Sequence, residues 1–223
     1  MDIYFIKETE KVVLPNTFMM ENPLAKKRIR PVASEDYPAL LSVYSYYITD
    51  TTVTFEYEVP SVEEFSERIS QIARDYPVLV LEVDGYIVGY AYATTFKPRV
   101  AYQWVAETVI YLRPDFAGQR LGRMLYEALI GVLKLQNVYQ GIAVITSENQ
   151  MSIDFHQKMG FKVTSRLEKV GYKFGKWLDV CWMQIGFEEL PSSPDPIKPA
   201  GDIYKTEQFQ TLITDINNRL NSY

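Results

Sequence analysis

Residues 107–130, ETVIYLRPDFAGQRLGRMLYEALI, constrain the fold more than any other stretch of this chain. They open as an apolar, β-like run over residues 108–112 and break at Pro114. They pass Gly118 and Gly122 and resume with Leu121, Met124, Leu125, Ala128 and Leu129, the i, i+3, i+4, i+7, i+8 spacing of a helix. A strand that turns through glycine into a helix needs a crossover back to the sheet, so part of the sheet is parallel. The first N–H groups of such a helix have no internal partner, and its dipole adds partial positive charge there. The turn is therefore a candidate anion site. Glu107 places a carboxylate at the start of the same strand.

The flanking sequence predicts what packs around this unit. Residues 29–32 read as a first strand, with Ser34 as an N-cap before a helix carrying Leu40, Val43, Tyr44, Tyr47 and Ile48. Residues 51–55 are β-branched and aromatic and leave that helix. Ser61 and Glu64 form a capping box ahead of Phe65, Ile69 and Ile72. Two apolar runs, residues 78–83 and 86–94, flank Asp84-Gly85, a hairpin signal. After a loop at 96–99 comes the strand at 103–112, then the helix at 121–135 and a short buried strand at 141–145. Asn149 can cap a helix holding Ile153, Phe155 and Met159, with Gly160 as its stop. Residues 161–167 and 180–187 read as an antiparallel pair joined by a loop with Gly171, Gly175 and Trp177. The order β-α-α-β-β-β-α-β-α-β-β implies an α/β fold, a mixed sheet with helices on both faces.

Both ends differ from this middle. Residues 1–27 read as an N-terminal arm, with a short strand at 3–6 and a basic run, Lys26, Lys27, Arg28 and Arg30, on a solvated face. Residues 28–190 form the expected domain. PSSPDPIKPAGD, residues 191–202, is a proline-rich linker. Thr206 can then cap a last amphipathic helix with Phe209, Leu212, Ile213, Ile216 and Leu220 on one side. That stripe is expected to pack on the chain's own domain or on a sister subunit.

Composition excludes several classes. At 223 residues and 47% hydrophobic, the chain can bury a sizeable core. Its net charge of −5 argues against nucleic acid or an anionic membrane as the main partner. With one cysteine, Cys181, no internal disulfide can form, and a cytoplasmic location is expected. With one histidine, His156, a multi-histidine metal site is excluded, and no metal is expected. No apolar run reaches transmembrane length, and the N-terminus lacks a signal-peptide core.

Several segments together resemble one family. They are TTVTFEYE at 51–58, YPVLVLEVDGYIVGYAYA at 76–93, FKPRVAYQWVAETVIYL at 96–112, AVITSENQMSIDFHQKMGF at 143–161 and VGYKFGKWLDVCWMQ at 170–184. The chain resembles the GNAT N-acyltransferases, and within them the phosphinothricin and methionine sulfoximine N-acetyltransferase-like subfamily. Gly-Tyr-Lys-Phe-Gly-x-Trp-x-Asp-Val is the more specific signature. The resemblance spans about residues 28–191. It implies the GNAT fold, acetyl-CoA as co-substrate, a small amino-acid-like amine as acceptor, direct attack in a ternary complex, and a homodimer. Two alternatives stay open at this point: a GNAT enzyme of a protein or peptide amine, and a non-catalytic acyl-CoA-binding module.

Acyl transfer from a thioester to an amine needs a held CoA, a neutral amine, a stabilised oxyanion and a proton for the thiolate. On its residues alone, Glu107 is either an edge glutamate or a desolvated base; the resemblance implies the base. It implies that backbone groups of Val109, Ile110, Tyr111 and Leu112 hold the thioester. The turn Ala117, Gly118, Gln119, Arg120, Leu121 and Gly122 would hold the pyrophosphate. This turn departs from the family pattern, with alanine for a leading polar residue and arginine for the middle glycine. An arginine is harmless there if its φ is helical and costly if φ is positive. Asn149 and Ser152 are expected near the pantetheine arm, with Asn149 also able to cap its helix. His156 is either a packed helix histidine or a proton donor to the thiolate. Lys97 and Arg99 are either solvated loop charges or binders of a substrate carboxylate. Phe55, Tyr102 and Trp104 would wall the acceptor pocket, and Lys173, with Tyr172 and Trp177, would close it.

Overall fold

The computed structural model describes residues 25–222. The strand expected at residues 3–6 and most of the N-terminal arm lie outside them. The elements are β1 Lys27–Pro31, α1 Tyr37–Asp50, α2 Val62–Asp75, β2 Val78–Val83, β3 Tyr86–Thr95 and β4 Val105–Leu112. They continue with α3 Leu121–Leu135, β5 Gln140–Thr146, α4 Gln150–Lys158, β6 Lys162–Lys173, β7 Lys176–Gly186, α5 Ala200–Ile203 and α6 Glu207–Asn221. The seven strands form one sheet in the order β1-β2-β3-β4-β5-β7-β6. Only β4 and β5 run parallel, joined by the crossover helix α3.

The two faces of the sheet carry separate cores. One collects Leu125, Leu129 and Val132 of α3, Ile153 of α4 and Phe209, Ile213, Ile216 and Leu220 of α6. The other collects Leu40, Tyr44 and Ile48 of α1 with Phe65 and Ile69 of α2. The capping box predicted at α2 is present: Glu64 N–H reaches Ser61 Oγ at 3.1 Å, and Ser61 N–H reaches the Glu64 carboxylate at 2.9 Å. β2 and β3 turn through Asp84-Gly85, both at positive φ (49° and 84°), as a tight hairpin requires.

Three local expectations are corrected. Ser34 does not cap α1; Asp36 precedes that helix, and its carboxylate accepts from Ala33 N–H at 2.7 Å. Arg30 is not on a solvated face but bridges Asp36 at 2.6 Å and also pairs with Glu82. That guanidinium, with the Ala33 N–H, outweighs burial and holds the Asp36 carboxyl below its ordinary range. Finally, no loop separates the last two strands. β6 and β7 form one long hairpin turning at Phe174-Gly175, with φ of 50° and 78°. Bulges between Val163 and Ser165 and between Leu167 and Gly171 break the alternation that would have carried the strand past Leu167 to Lys173.

The C-terminal segment packs on its own domain. Residues 195–198 run as a strap: Trp104 Nε1–H donates to Asp195 O at 2.8 Å, and Asn137 Nδ2–H to Pro196 O at 2.9 Å. Gln136 Nε2–H donates to Lys198 O at 2.6 Å. Thr206 caps α6 as expected, accepting from Phe209 N–H at 3.2 Å. α6 lies against α3, where Gly131 has no Cβ; one would sit 2.7 Å from Leu212 Cδ2. Two asparagines of α6 also serve β1. Asn217 accepts from Ile29 N–H at 2.7 Å and donates to Ile29 O at 3.0 Å; Asn221 does the same at Lys27, at 3.0 and 2.8 Å. Four helical residues rise about 6 Å and two strand residues about 6.6 Å, so the repeats nearly match. The outer edge of β1 is thus closed without another strand.

Candidate active site

The sheet opens in the middle. β4 and β5 pair only over Val105↔Gln140, Ala106↔Gly141 and Glu107↔Ile142, although both strands continue past that point. On its other side β4 stays paired with β3 as far as Gly89↔Leu112. Arg113 N–H donates to Val88 O at 2.8 Å, which sets the alternation: odd-numbered residues of β4 spend their amides on β3, and even-numbered ones face β5. Of the four residues expected to hold the thioester, Ile110 and Leu112 therefore turn their amides to the gap, while Val109 and Tyr111 turn theirs to β3. The Leu112 carbonyl is taken by the Tyr47 hydroxyl.

The same alternation assigns side chains to faces. Thr94, Tyr92 and Tyr90 of β3 stand opposite Glu107, Val109 and Tyr111, so all six share a face. Tyr111 packs on Tyr44 and Tyr47 at 4.9 and 5.0 Å between centroids, which identifies this as the α1 face. Glu107 is half-buried there. Burial drives its carboxyl above the ordinary range, and the Lys97 ammonium pulls partly back. Lys97 lies over the Phe96 and Trp182 rings, 5.2 and 5.7 Å from their centroids. Phe96 also meets Tyr102 edge-on at 5.8 Å. Trp182 is paired with Val144 across β7 and β5, so these aromatics flank the open, splayed part of the sheet. Arg99 is exposed on the preceding loop.

A second wall comes from the segment after α1 and the β6–β7 hairpin. The Phe55 ring fills the space where a Cβ at Gly171 would lie, only 2.2 Å from Phe55 Cε2, so only glycine fits. Lys173 is buried and donates to Thr54 O at 2.7 Å, and Tyr57 O–H donates to Tyr172 O. Burial lowers the Lys173 ammonium from its ordinary value, against the pull of Glu56. Lys173 thus ties the two segments together. Trp104 is not part of this wall; its indole holds the C-terminal strap.

At the far end of β4, Gly118 has φ +80° and Arg120 has φ +63°. The arginine standing for the family's middle glycine is therefore left-handed, the costly alternative for a residue with a Cβ. Gly122 lies over Ile110 and Leu112; a Cβ would meet their side chains at 3.7 and 3.9 Å. The first turn of α3 thereby sits directly over the end of β4. Its leading amides, and no side-chain cap, face the turn of residues 117–120. A pyrophosphate and a pantetheine arm entering the gap would meet these amides, so the residues present suit acetyl-CoA.

His156 lies on the other face. It is 3% exposed, packed by Tyr126, Phe155 and Phe161. Nδ1 lies 2.8 Å from Ser152 O and Nε2 3.1 Å from the Tyr126 hydroxyl. Tyr126 reaches Thr108 Oγ1 at 2.7 Å. Thr108 neighbours Glu107 in β4, so it points to the opposite face. Burial lowers the imidazole's proton affinity, partly offset by the Ser152 carbonyl. The two expected catalytic side chains are thus separated by the sheet. Asn149 caps α4, accepting from Ser152 N–H at 3.1 Å. Thr108 and Tyr126 escaped sequence reasoning, although hydroxyls at core-facing positions of a strand and a helix require partners.

Known proteins resemble this chain in sequence and in fold. Residues 29–182 match the model of the acetyltransferase (GNAT) domain. The phosphinothricin N-acetyltransferase of Streptomyces viridochromogenes is 34% identical over 175 residues, 78% of this chain and 95% of that protein. The L-methionine sulfoximine/L-methionine sulfone acetyltransferase of Pseudomonas aeruginosa is 31% identical over 168 residues, 74% of this chain and 98% of that protein. A phosphinothricin acetyltransferase from Sinorhizobium meliloti, solved in complex with AcCoA, superposes with a TM-score of 0.72 at 29% identity, covering 78% of this chain and 98% of that one. The domain match, which covers well over half of the chain, and these identities over most of each relative show that the chain belongs to the GNAT N-acetyltransferases.

Proposed function

We propose that this acetyltransferase moves the acetyl group of acetyl-CoA to the amino group of a small amino-acid-like compound of the phosphinothricin or methionine sulfoximine/sulfone type. Attack is direct, in a ternary complex. The observation that carries the reading is the parting of β4 from β5 just after Glu107, with that carboxylate on the aromatic-walled face. Acetyl-CoA enters the gap from the α3 end. Its phosphates meet the amides of residues 118–122, and its thioester carbonyl meets the Ile110 N–H. Glu107 takes a proton from the ammonium of the acceptor. The freed amine forms the C–N bond, the C–S bond breaks, and the proton that the nitrogen sheds on becoming an amide neutralises the departing thiolate. An acid with an elevated pKa suits the base role, because its conjugate carboxylate is a stronger base than an ordinary one.

Lys97 supplies the cation whose charge acts on Glu107 and is the group proposed to meet the acceptor's acidic end, together with Arg99 on the same loop. Phe55 and Tyr102 wall the acceptor. The enzyme acts as a cytoplasmic homodimer, for which the exposed apolar side chains Val163, Val170, Phe174 and Trp177 on the β6–β7 hairpin are suited. Light scattering of the purified protein tests the dimer.

The deciding experiment measures thiol release from acetyl-CoA against phosphinothricin, methionine sulfone, methionine sulfoximine, free amino acids, polyamines and peptides. Turnover concentrated in the first three is expected. Preference for peptides would move the assignment to a protein amine, and binding of acetyl-CoA without turnover on any amine would sink the proposed substrate class.

A further inference from the structure

On the α3 face, a chain of hydrogen-bonding groups runs to the point where β4 leaves β5. Ser152 O lies 2.8 Å from His156 Nδ1, and His156 Nε2 lies 3.1 Å from the Tyr126 hydroxyl. The Tyr126 hydroxyl lies 2.7 Å from Thr108 Oγ1, and Thr108 Oγ1 lies 3.0 Å from Ile142 O. These are four contacts. A neutral imidazole and two hydroxyls bring only three hydrogens to them. Nδ1 has a second neighbour, Ser152 Oγ at 3.3 Å, but the carbonyl at 2.8 Å is the closer and has no hydrogen to give, so Nδ1 carries the ring hydrogen. Nε2 then accepts from Tyr126, the Tyr126 oxygen accepts from Thr108, and the Ile142 carbonyl receives nothing from this chain. A proton added at Nε2 leaves the bond from Nδ1–H to Ser152 O in place, reverses the two bonds of the Tyr126 hydroxyl and adds one at Ile142 O. Nε2–H donates to Tyr126, Tyr126 donates to Thr108, and Thr108 donates to Ile142 O.

We propose that Tyr126 and Thr108 are positioning residues that carry the protonation state of His156 to the carbonyl of Ile142, at the last rung joining β4 to β5. Ile142 is the partner of Glu107 in that rung. One added proton on one side of the sheet thus decides whether the Thr108 hydroxyl braces the backbone opposite Glu107. The bearing on acyl transfer rests on the role proposed for Glu107; the relay does not. Around His156 stand Tyr126 from α3, Phe155 and Ser152 from α4, and Phe161 ahead of β6. The sheet below α4 adds Ala143 and Ile145 from β5 and Cys181 from β7 to the same core. The titratable groups among these are the Tyr126 phenol and the Cys181 thiol. Burial drives both up, so both are neutral in the physiological range.

His156 is the only histidine, so its ring signals are unambiguous in an NMR titration of the protein without ligand. In Thr108→Val the protonated state leaves the buried Tyr126 O–H without an acceptor, whereas the neutral state still satisfies it. The midpoint of His156 is expected to fall by roughly one pH unit, although residue 108 does not touch it. Thr108→Ser is expected to restore the wild-type midpoint. A midpoint unmoved in Thr108→Val, or moved alike by valine and serine, overturns the relay. Wild-type protein gives an independent check if the valine variant does not fold. Above its midpoint His156 must be the Nδ1–H tautomer, and an Nε2–H tautomer overturns the proposal. Neither readout needs acetyl-CoA, so failure of the relay and failure of the substrate reading are told apart.

Discussion

Two opposed influences act on Glu107: desolvation raises its carboxyl and the Lys97 ammonium lowers it. If Glu107 is the base, activity rises with pH as it ionises. Removing the ammonium disfavours the ionised form, so the acid limb of kcat/KM in Lys97→Met must move to higher pH; a limb that stays or moves down would contradict the pairing. Glu107→Gln keeps the shape and removes the base, and kcat is expected to fall by roughly 10²–10⁴-fold with unchanged circular dichroism. The carboxylate itself was legible in the sequence, because it begins an apolar strand that leads into the glycine turn. The separation of Glu107 and His156 was not. Facing depends on the parity of residues 107 and 108 in β4 and on which helix covers each side, and neither is local information. Trp104 shows the same limit: its indole N–H goes to a strap 91 residues away in sequence.

Among the elements, α3 was legible from its period and the β2–β3 hairpin from Asp84-Gly85. The antiparallel pairing of β6 with β7 was legible too, but not the run of both strands on to a tight turn, because the bulges disturb the period-2 pattern and the turn residues, Phe174-Gly175, lack the usual asparagine or aspartate. The turn before α3 is the element where sequence and backbone conflict most openly. Arg120 sits at φ +63° where a residue without Cβ is at ease. Two substitutions separate its backbone strain from its charge. Arg120→Ala drops the guanidinium and keeps the strain; Arg120→Gly drops both. If the guanidinium assists the CoA phosphates, both raise KM for acetyl-CoA to the same extent. Only the glycine variant is expected to gain stability, by about 1 kcal/mol, read as a Tm higher by about 2–4 °C. Equal Tm values for the two variants would show that the left-handed backbone costs nothing.

For the molecule as a whole, the change in composition at Pro191 marks a linker, yet the packing runs on across it. α6 contributes Phe209, Ile213, Ile216 and Leu220 to the same core as α3, each nearly inaccessible. Burial of each such side chain contributes about 1.5–3 kcal/mol, so the four together contribute about 6–12 kcal/mol before entropy is set against them. That is comparable to the whole stability of an ordinary domain, about 5–15 kcal/mol. Deleting residues 191–223 also uncovers the amides of Lys27 and Ile29 on the edge of β1. The truncated chain is therefore expected to lose cooperative thermal unfolding and to aggregate through that edge. A milder variant isolates the edge contribution. Asn217→Ala removes two hydrogen bonds to Ile29 while leaving the apolar stripe of α6 in place. At about 1 kcal/mol for each bond, Tm should fall by about 4–8 °C. A truncated chain that melts cooperatively at the full-length temperature would mean that α6 is an ornament on the domain. An Asn217→Ala variant with unchanged Tm would mean that the edge of β1 needs no cover.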